Sequence, residues 1–373
     1  MGDAPVGLYV HVPFCAKKCP YCDFFSEAYR KQTVQRYVLA VCRRMEQFAE
    51  TGAVADTLYF GGGTPSTLGA NRLCSIIDEA KNCFGLEQAE ITVEVNPSGQ
   101  LEDLLDALAQ KGVNRISIGM QSAHAEELDL LGRTHTAKQA EMAVKAAHRA
   151  GITNVSMDLM VGIQKQTEQS LKESIAFCHN AGASHISAYL LKIEPNTPYG
   201  QQQNTLLLPD DDQMGDFYLC MVEELESRGY HQYEISNFAQ KDANGMLQIS
   251  KHNTKYWQGK EYLGIGPSAH SFLKGERFYY DRNLYSFLKG NPPIMDGQGG
   301  DKEEFVMLAL RLTDGLTNEI WYHKFQEPLP QSYIKRAQRY EAAGLVHMKK
   351  NGFALTPKGF LVSNQLILSI IGA

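Results

Sequence analysis

The chain has 373 residues, 43% of them hydrophobic, with a net charge of -6 and a pI near 6.0. That length supports a large core, in one big unit with a smaller companion, while the acidic balance and the lack of a basic tract exclude nucleic acid as a bulk electrostatic partner. No apolar run reaches the roughly 20 residues that a membrane-spanning helix needs, and Met1 to Pro5 has neither signal-peptide nor transit-peptide character, so a soluble, cytoplasmic protein that is not itself transmembrane is expected.

The first predicted strand, Leu8 to Val12, runs into a loop that carries Cys15, Cys19 and Cys22. Gaps of three residues and then two let one loop turn three sulfurs towards a common centre. Soft thiolates suit zinc or an iron-sulfur cluster. Structural zinc usually takes four protein ligands, and no Cys or His sits at suitable spacing just downstream to be the fourth, so a metal bound here keeps one open position. The plain alternative is three structural thiols packed as small core residues. Cys42, Cys74, Cys83, Cys178 and Cys220 are scattered within apparent helices, and a reducing compartment leaves them as packed free thiols.

A helix from about Gln32 to Glu50 leads to a short buried strand, Asp56 to Phe60, which ends in Gly61-Gly62-Gly63-Thr64-Pro65. The unit then repeats. Helices Asn71 to Cys83, Leu101 to Lys111, Ala137 to Ala150 and Glu168 to Ala181 alternate with strands Glu90 to Val95, Arg115 to Gly119, Thr153 to Val161 and His185 to Leu191. Such alternation predicts right-handed crossovers and a parallel sheet. Six strands are too few for a closed eight-stranded barrel, so the fold expected is α/β, an open partial (β/α)6 TIM-like barrel, whose working groups gather at the C-terminal strand ends. The glycines after the second strand, Glu94 near the end of the third, Gln121 after the fourth and Asp158 in the fifth fall in that zone. Singly each reads as a turn, a cap or a surface group; together they converge on one barrel mouth.

The cysteine stretch resembles the signature of the radical SAM enzymes. That resemblance implies that the three cysteines hold three irons of a 4Fe-4S cluster, and that S-adenosylmethionine chelates the fourth and is cleaved by an electron from the cluster. Tyr21 matches the aromatic position beside the adenine. Over nearly the whole chain the motifs are similar to those of the oxygen-independent coproporphyrinogen III oxidase group. The likeness implies that Tyr9 contacts the sulfonium methionine, that Gly62, Gly63 and Thr64 receive its amino group, that Glu94 and Asp158 meet that group or the nucleoside hydroxyls, that Gln121 is a further contact, and that Arg133 faces a carboxylate.

Departures from the oxidase pattern select a branch. The oxidase carries a further cysteine where this chain has Phe24, and has a long extension before the first strand where this chain has eight residues before Tyr9. A third departure is local: the usual Gly-Leu-Pro-x-Gln-Thr after the fifth strand reads Gly162-Ile-Gln-Lys-Gln-Thr167, and loss of the proline frees the turn backbone. The sequence resembles the haem-chaperone branch of the group, which shares the pattern Lys251-His-Asn-Thr-Lys-Tyr-Trp257. A neutral imidazole can ligate haem iron and aromatic rings can cover a macrocycle, which makes His252, Tyr256 and Trp257 the haem candidates.

Asp211 to Gly229 reads as an acidic amphipathic helix, and Tyr230 to Ile235 as strand-like and able to extend the sheet. Gly264-Ile-Gly266 reads as a barrel-closing turn. Asn291-Pro-Pro and Gly297 to Gly300 read as a linker, dividing the barrel unit, 1–290, from a C-terminal unit, 291–373. Two apolar segments around Asn351-Gly352 predict a hairpin, and Thr356-Pro-Lys-Gly opens a last helix, an order that is winged-helix-like and better suited to docking than to DNA. Three readings follow: a haem chaperone that passes haem to acceptor haemoproteins, membrane-associated ones included; an oxidase that decarboxylates coproporphyrinogen III; and a structural cluster or zinc protein without radical chemistry. No residue is assigned a catalytic role, and a homodimer is compatible with the sequence.

Overall fold

The structure, a computed structural model, describes residues 4–372. Strands β1 (Val6–Val12), β2 (Ala55–Gly62), β3 (Glu90–Val95), β4 (Arg115–Gln121), β5 (Asn154–Val161) and β6 (His185–Leu190) lie side by side in chain order and pair in parallel. Helices α1 (Lys31–Ala49), α2 (Ala70–Phe84), α3 (Glu102–Gln110), α4 (Ala137–Arg149) and α5 (Glu168–Ala181) connect them. The helices start where the sequence supplies acceptors: Thr136 and Thr167 form capping boxes with Gln139 and Ser170. A left-handed glycine, Gly85, stops α2.

Each strand alternates in character. Leu8, Val10, Leu58, Phe60, Ile91 and Val93 are buried in one cluster with Val34 and Val38 of α1 and Leu73 and Ile76 of α2. Burial of each such side chain stabilises by about 1.5–3 kcal/mol, so this face holds the sheet to its helices. The opposite face carries Tyr9, Tyr59, Glu94, Ser117, Asp158 and Ser187, joined across the strands by direct pairing of Tyr9 with Tyr59, Glu94 with Ser117 and Asp158 with Ser187. Parallel strands packed on both faces read as continuous apolar runs; here the second face lines a polar lumen.

The barrel stays open. A single sheet of twelve strands runs β12-β11-β10-β9-β1-β2-β3-β4-β5-β6-β8-β7, where β7 is His231–Gln232, β8 Asn237–Ala239, β9 Tyr262–Ile265, β10 His270–Leu273, β11 Glu276–Tyr279 and β12 Ile294–Gln298. The acidic helix is α6 (Asp211–Ser227), and the strand expected over Tyr230 to Ile235 is the shorter β7 with β8 beside it. Two expectations are corrected. Gly264 belongs to β9, which pairs in parallel with β1 and extends the sheet instead of closing it; the turn lies at Gly266, where a φ of 122° and close approach to the His11 carbonyl favour glycine. The linker is in fact the edge strand β12, hydrogen-bonded to β11, so the sheet runs past residue 290; proline has no N–H to donate, and Pro292 and Pro293 stop just short of its first residue.

Beyond the sheet, α8 (Lys302–Ala309), β13 (Leu316–Thr317), α9 (Asn318–Phe325), α10 (Gln331–Gln338), the hairpin β14 (Val346–Lys349) and β15 (Gly352–Leu355), and α11 (Ser363–Ile371) form a winged-helix-like unit around Trp321, Phe353 and Ile370. Thr356 accepts from the Gly359 N–H at 3.0 Å and starts the short helix after the hairpin. Backbone bonds join this unit to the barrel edge: Ile235 N–H to the Arg311 carbonyl at 3.0 Å and Thr313 N–H to the Tyr233 carbonyl at 3.1 Å. Among the described residues no helix is long and apolar enough to cross a membrane.

Candidate functional site

The loop with Cys15, Cys19 and Cys22 leaves β1 at Pro13 and folds back through a short parallel ladder, Phe14–Cys15 with Glu27–Ala28. Glycines fix its place. Gly63 N–H donates to the Val12 carbonyl and Thr64 N–H to the Phe14 carbonyl, both at 2.8 Å, and a Cβ on Gly63 would lie 2.7 Å from the Phe14 oxygen. Gly62, at φ 107°, faces the His11 ring, which a Cβ would meet at 2.6 Å. The glycine run thus clamps the cysteine loop to the end of β2.

All three thiols are half-buried and free. Cys15 Sγ lies 3.5 Å from Thr64 Oγ1, and Arg133 Nη1 donates to Cys19 Sγ at 3.6 Å. Burial pushes the Cys22 thiol up, and Cys19 and Cys15 add to the push, so the three sulfurs share one field. Three free thiols on one half-exposed loop are a donor set that fits an iron-sulfur cluster.

Beside Cys19 opens a cavity of about 320 Å³, with Thr64, Asn96, Ser98, Arg133 and Thr134 among its lining at the C-terminal strand ends. Arg133 reaches it by donating to the Gly119 carbonyl at 2.6 Å, and Nη2 lies 3.5 Å from Asn96 Oδ1. Its protein partners are thus a carbonyl, an amide and a sulfur, with no carboxylate among them. Gln121 ends β4 at φ 71° after a shift of register, an uncommon conformation for a residue with a side chain, maintained by its surroundings. Tyr21 meets Tyr199 edge-on at 6.3 Å, and Tyr199 N–H donates to the Pro20 carbonyl at 3.0 Å, which straps the cysteine loop from β6's side.

Deeper in the lumen, Tyr59 donates to Glu94 Oε1 at 2.9 Å, while Tyr9 OH is 3.2 Å from His11 Nδ1. Burial first, and then Asp158, pushes the Glu94 carboxyl up to about 8. Asp158 is itself pushed up to about 6 by burial, against a bond from Ser117 at 3.0 Å. Two carboxyls held this way favour a ligand with positive charge.

The haem candidates lie elsewhere. Helix α7 (Lys251–Trp257) plugs the opposite end of the barrel, where Glu90 accepts from the Lys251 and His252 N–H groups at 3.0 Å. His252 is 1% exposed, and both ring nitrogens are engaged, Nδ1 with Thr57 Oγ1 at 2.9 Å and Nε2 with Tyr256 OH at 2.8 Å. No lone pair is left for iron, so in this fold His252 and Tyr256 are structural; Trp257, on the same helix, is half-buried. Sequence reasoning also missed Tyr59, His11 and Ser117, and the buried Arg115, His185 and Tyr233 below them. The available signal was the polar half of each strand's two-residue period.

A model of the radical SAM superfamily matches residues 9–178, and a model of the HemN C-terminal domain matches residues 302–362. The heme chaperone HemW of Bacillus subtilis is 32% identical, covering 98% of this chain and 98% of its own. The chain belongs to the HemW family of radical SAM proteins. HemW of Escherichia coli is 33% identical, over 90% of this chain and 93% of its own. The solved coproporphyrinogen III oxidase (HemN) of Escherichia coli, a radical SAM enzyme, has a TM-score of 0.82 at 22% identity, covering 98% of this chain and 90% of that one, which shows the shared fold. Superfamily membership implies a 4Fe-4S cluster and S-adenosylmethionine, and the residues around the cysteine loop suit both.

Proposed function

We propose that this protein is a cytoplasmic haem chaperone that binds a 4Fe-4S cluster, S-adenosylmethionine and haem, and passes haem to acceptor haemoproteins. The observation that carries the reading is full-length likeness to curated haem chaperones, in a chain with Phe24 where the oxidase has a further cysteine. Cys15, Cys19 and Cys22 hold the cluster, whose role when bound is to supply an electron to the sulfonium. The chain's own residues do the positioning. Thr64, Asn96 and Arg133 line the ligand cavity, Glu94 and Asp158 attract the ligand's ammonium group, Tyr9 and Gln121 border its methionine end, and Tyr21 packs beside its adenine. Arg133 is also suited to the ligand carboxylate, since its fork matches two oxygens.

The test is anaerobic reconstitution followed by haem titration and transfer. The expected result is an iron-sulfur absorbance that the triple Cys→Ala variant loses, a Soret band on haem addition, and delivery to an apo-haemoprotein. Coproporphyrinogen III should give no protoporphyrinogen. Stoichiometric zinc in the anaerobic protein, or failure to take up haem, overturns the proposal; turnover of coproporphyrinogen III would make the protein an oxidase.

A further inference from the structure

Asp158, half-buried on the lumen face of β5, has a hydroxyl on either side. Ser117 of β4 donates to its Oδ1 at 3.0 Å, and Ser187 of β6, its direct partner across the strands, is hydrogen-bonded to the same carboxyl. Ser187 belongs to a longer line. Its Oγ lies 3.2 Å from Ser156 Oγ, which is 2.8 Å from His185 Nδ1. His185 Nε2 is 2.9 Å from Tyr233 OH, and that oxygen accepts the N–H of Ser250, the cap of helix α7, at 3.2 Å. Ser187, Ser156, His185 and Tyr233 are all buried. A buried polar network is costly unless every member is satisfied, and here each link is made.

The far end sets the direction. A backbone N–H can only donate, so the Tyr233 oxygen accepts from Ser250 and its own proton is left for His185 Nε2. The imidazole is neutral, because burial first and then Arg115 hold its pKa well below the ordinary value. It therefore carries its one proton on Nδ1 and donates to Ser156, Ser156 donates to Ser187, and Ser187 donates to Asp158. Arg115 Nη2 favours the other tautomer, but it stands 3.4 Å from Nδ1 against 2.8 Å for Ser156. Ser187 has two neighbours to choose from, Asp158 and the Tyr189 hydroxyl, and the carboxylate is the stronger acceptor.

We propose that His185 is a positioning residue for the lumen: through Ser156 and Ser187 it aims a hydroxyl proton at Asp158 and keeps that carboxylate in the form and place that meet a cationic ligand. The inference rests on the reading of Asp158 as a contact of the ligand's ammonium group, and it adds the buried floor that acts through that contact. The step is hydrogen bonding alone, and no proton is transferred. The charged and titratable groups that face Asp158 are Glu94 on β3, Arg115 on β4, Arg133 after β4, Tyr59 on β2, Tyr189 on β6 and Cys178 on α5. None of them is a link in the line, so removing the Ser187 hydroxyl leaves them in place.

Two measurements on the full chain test this. In the ligand-free protein at mildly alkaline pH, heteronuclear NMR of labelled histidine should find His185 neutral with its proton on Nδ1; a proton on Nε2 overturns the proposal. In the cluster-reconstituted protein, S-adenosylmethionine is titrated from mildly acid to mildly alkaline pH. Ser187→Ala should move the lower limb of the affinity profile, near 6 in the wild type, up by about one unit. That shift is a loss of about fivefold at about pH 6 and almost none at about pH 8.5. His185→Phe should do the same, and His185→Gln, which can donate to Ser156 and accept from Tyr233, should restore the wild-type profile. A merely structural role would instead weaken binding equally at every pH. An unmoved limb in Ser187→Ala overturns the proposal while the ligand reading of Asp158 stands. A wild-type chain that binds no S-adenosylmethionine at any pH overturns both.

Discussion

Glu94 shows how the lumen's chemistry arises from its solvent. Its carboxyl titrates near 8 in the fold against 4.5 outside it, because burial and Asp158 both disfavour the anion. The folded chain therefore holds the proton more tightly than the unfolded chain. Stability from this group is full below 4.5 and is lost as pH rises through about 8; Asp158 acts in the same sense between 3.8 and about 6. Each pK unit is worth about 1.4 kcal/mol, so the ligand-free protein should lose on the order of a few kcal/mol across this window. Glu94→Gln should flatten the fall, as read by thermal unfolding from acid to mildly alkaline pH. An identical pH profile in the variant would refute the account. His252 has the opposite sign. Its pKa, lowered to about 3 by burial, makes its contribution full above 6.5 and progressively lost on acidification towards 3.

At the scale of elements, the cysteine loop and the plug helix α7 were legible to different degrees. The loop was legible because its information is local: three sulfurs and a glycine run whose backbone approach forbids a side chain. Gly63→Ala should move the loop off the end of β2 at a cost of about 1–3 kcal/mol. Its helix content should be retained and its iron-sulfur absorbance after reconstitution should drop sharply; full iron uptake would show that the clamp is dispensable. In helix α7 the pattern of His, Tyr and Trp says nothing of the partners that cover it. Those partners are distant in sequence: Thr57 and Tyr59 lie against the His252 ring, and Glu90 accepts from the helix's first N–H groups. Glu90→Ala should cost about 1–2 kcal/mol through loss of the cap, measured by denaturant unfolding.

For the whole molecule, the question is whether barrel and C-terminal unit unfold together. Backbone bonds link residues 233–235 to 311–313, and Arg277 pairs with Glu304 across the same boundary. The chain has only two tryptophans, Trp257 in α7 and Trp321 in the C-terminal core. In Trp257→Phe the fluorescence therefore reports on the C-terminal unit, while far-UV dichroism is dominated by the larger barrel. The two signals should change at the same temperature. Transitions separated by about 5 °C or more, a shift worth roughly a kcal/mol in a smaller domain, would mean the units are energetically independent.

The sequence by itself determined what depends on neighbours along the chain: the alternation of strands and helices, the capping residues, the hairpin, the spacing of the cysteines and the glycines that hold their loop. Tertiary structure decided what depends on pairing between distant segments. It turned a proline- and glycine-bearing linker into an edge strand, left the barrel open by adding β9 beside β1, buried His252 against Thr57 and Tyr59 and left His270 exposed. The reason is physical. A residue's backbone preference and period are set within a few positions, whereas its burial, its free lone pairs and its charge state are set by whichever strand or helix arrives to cover it.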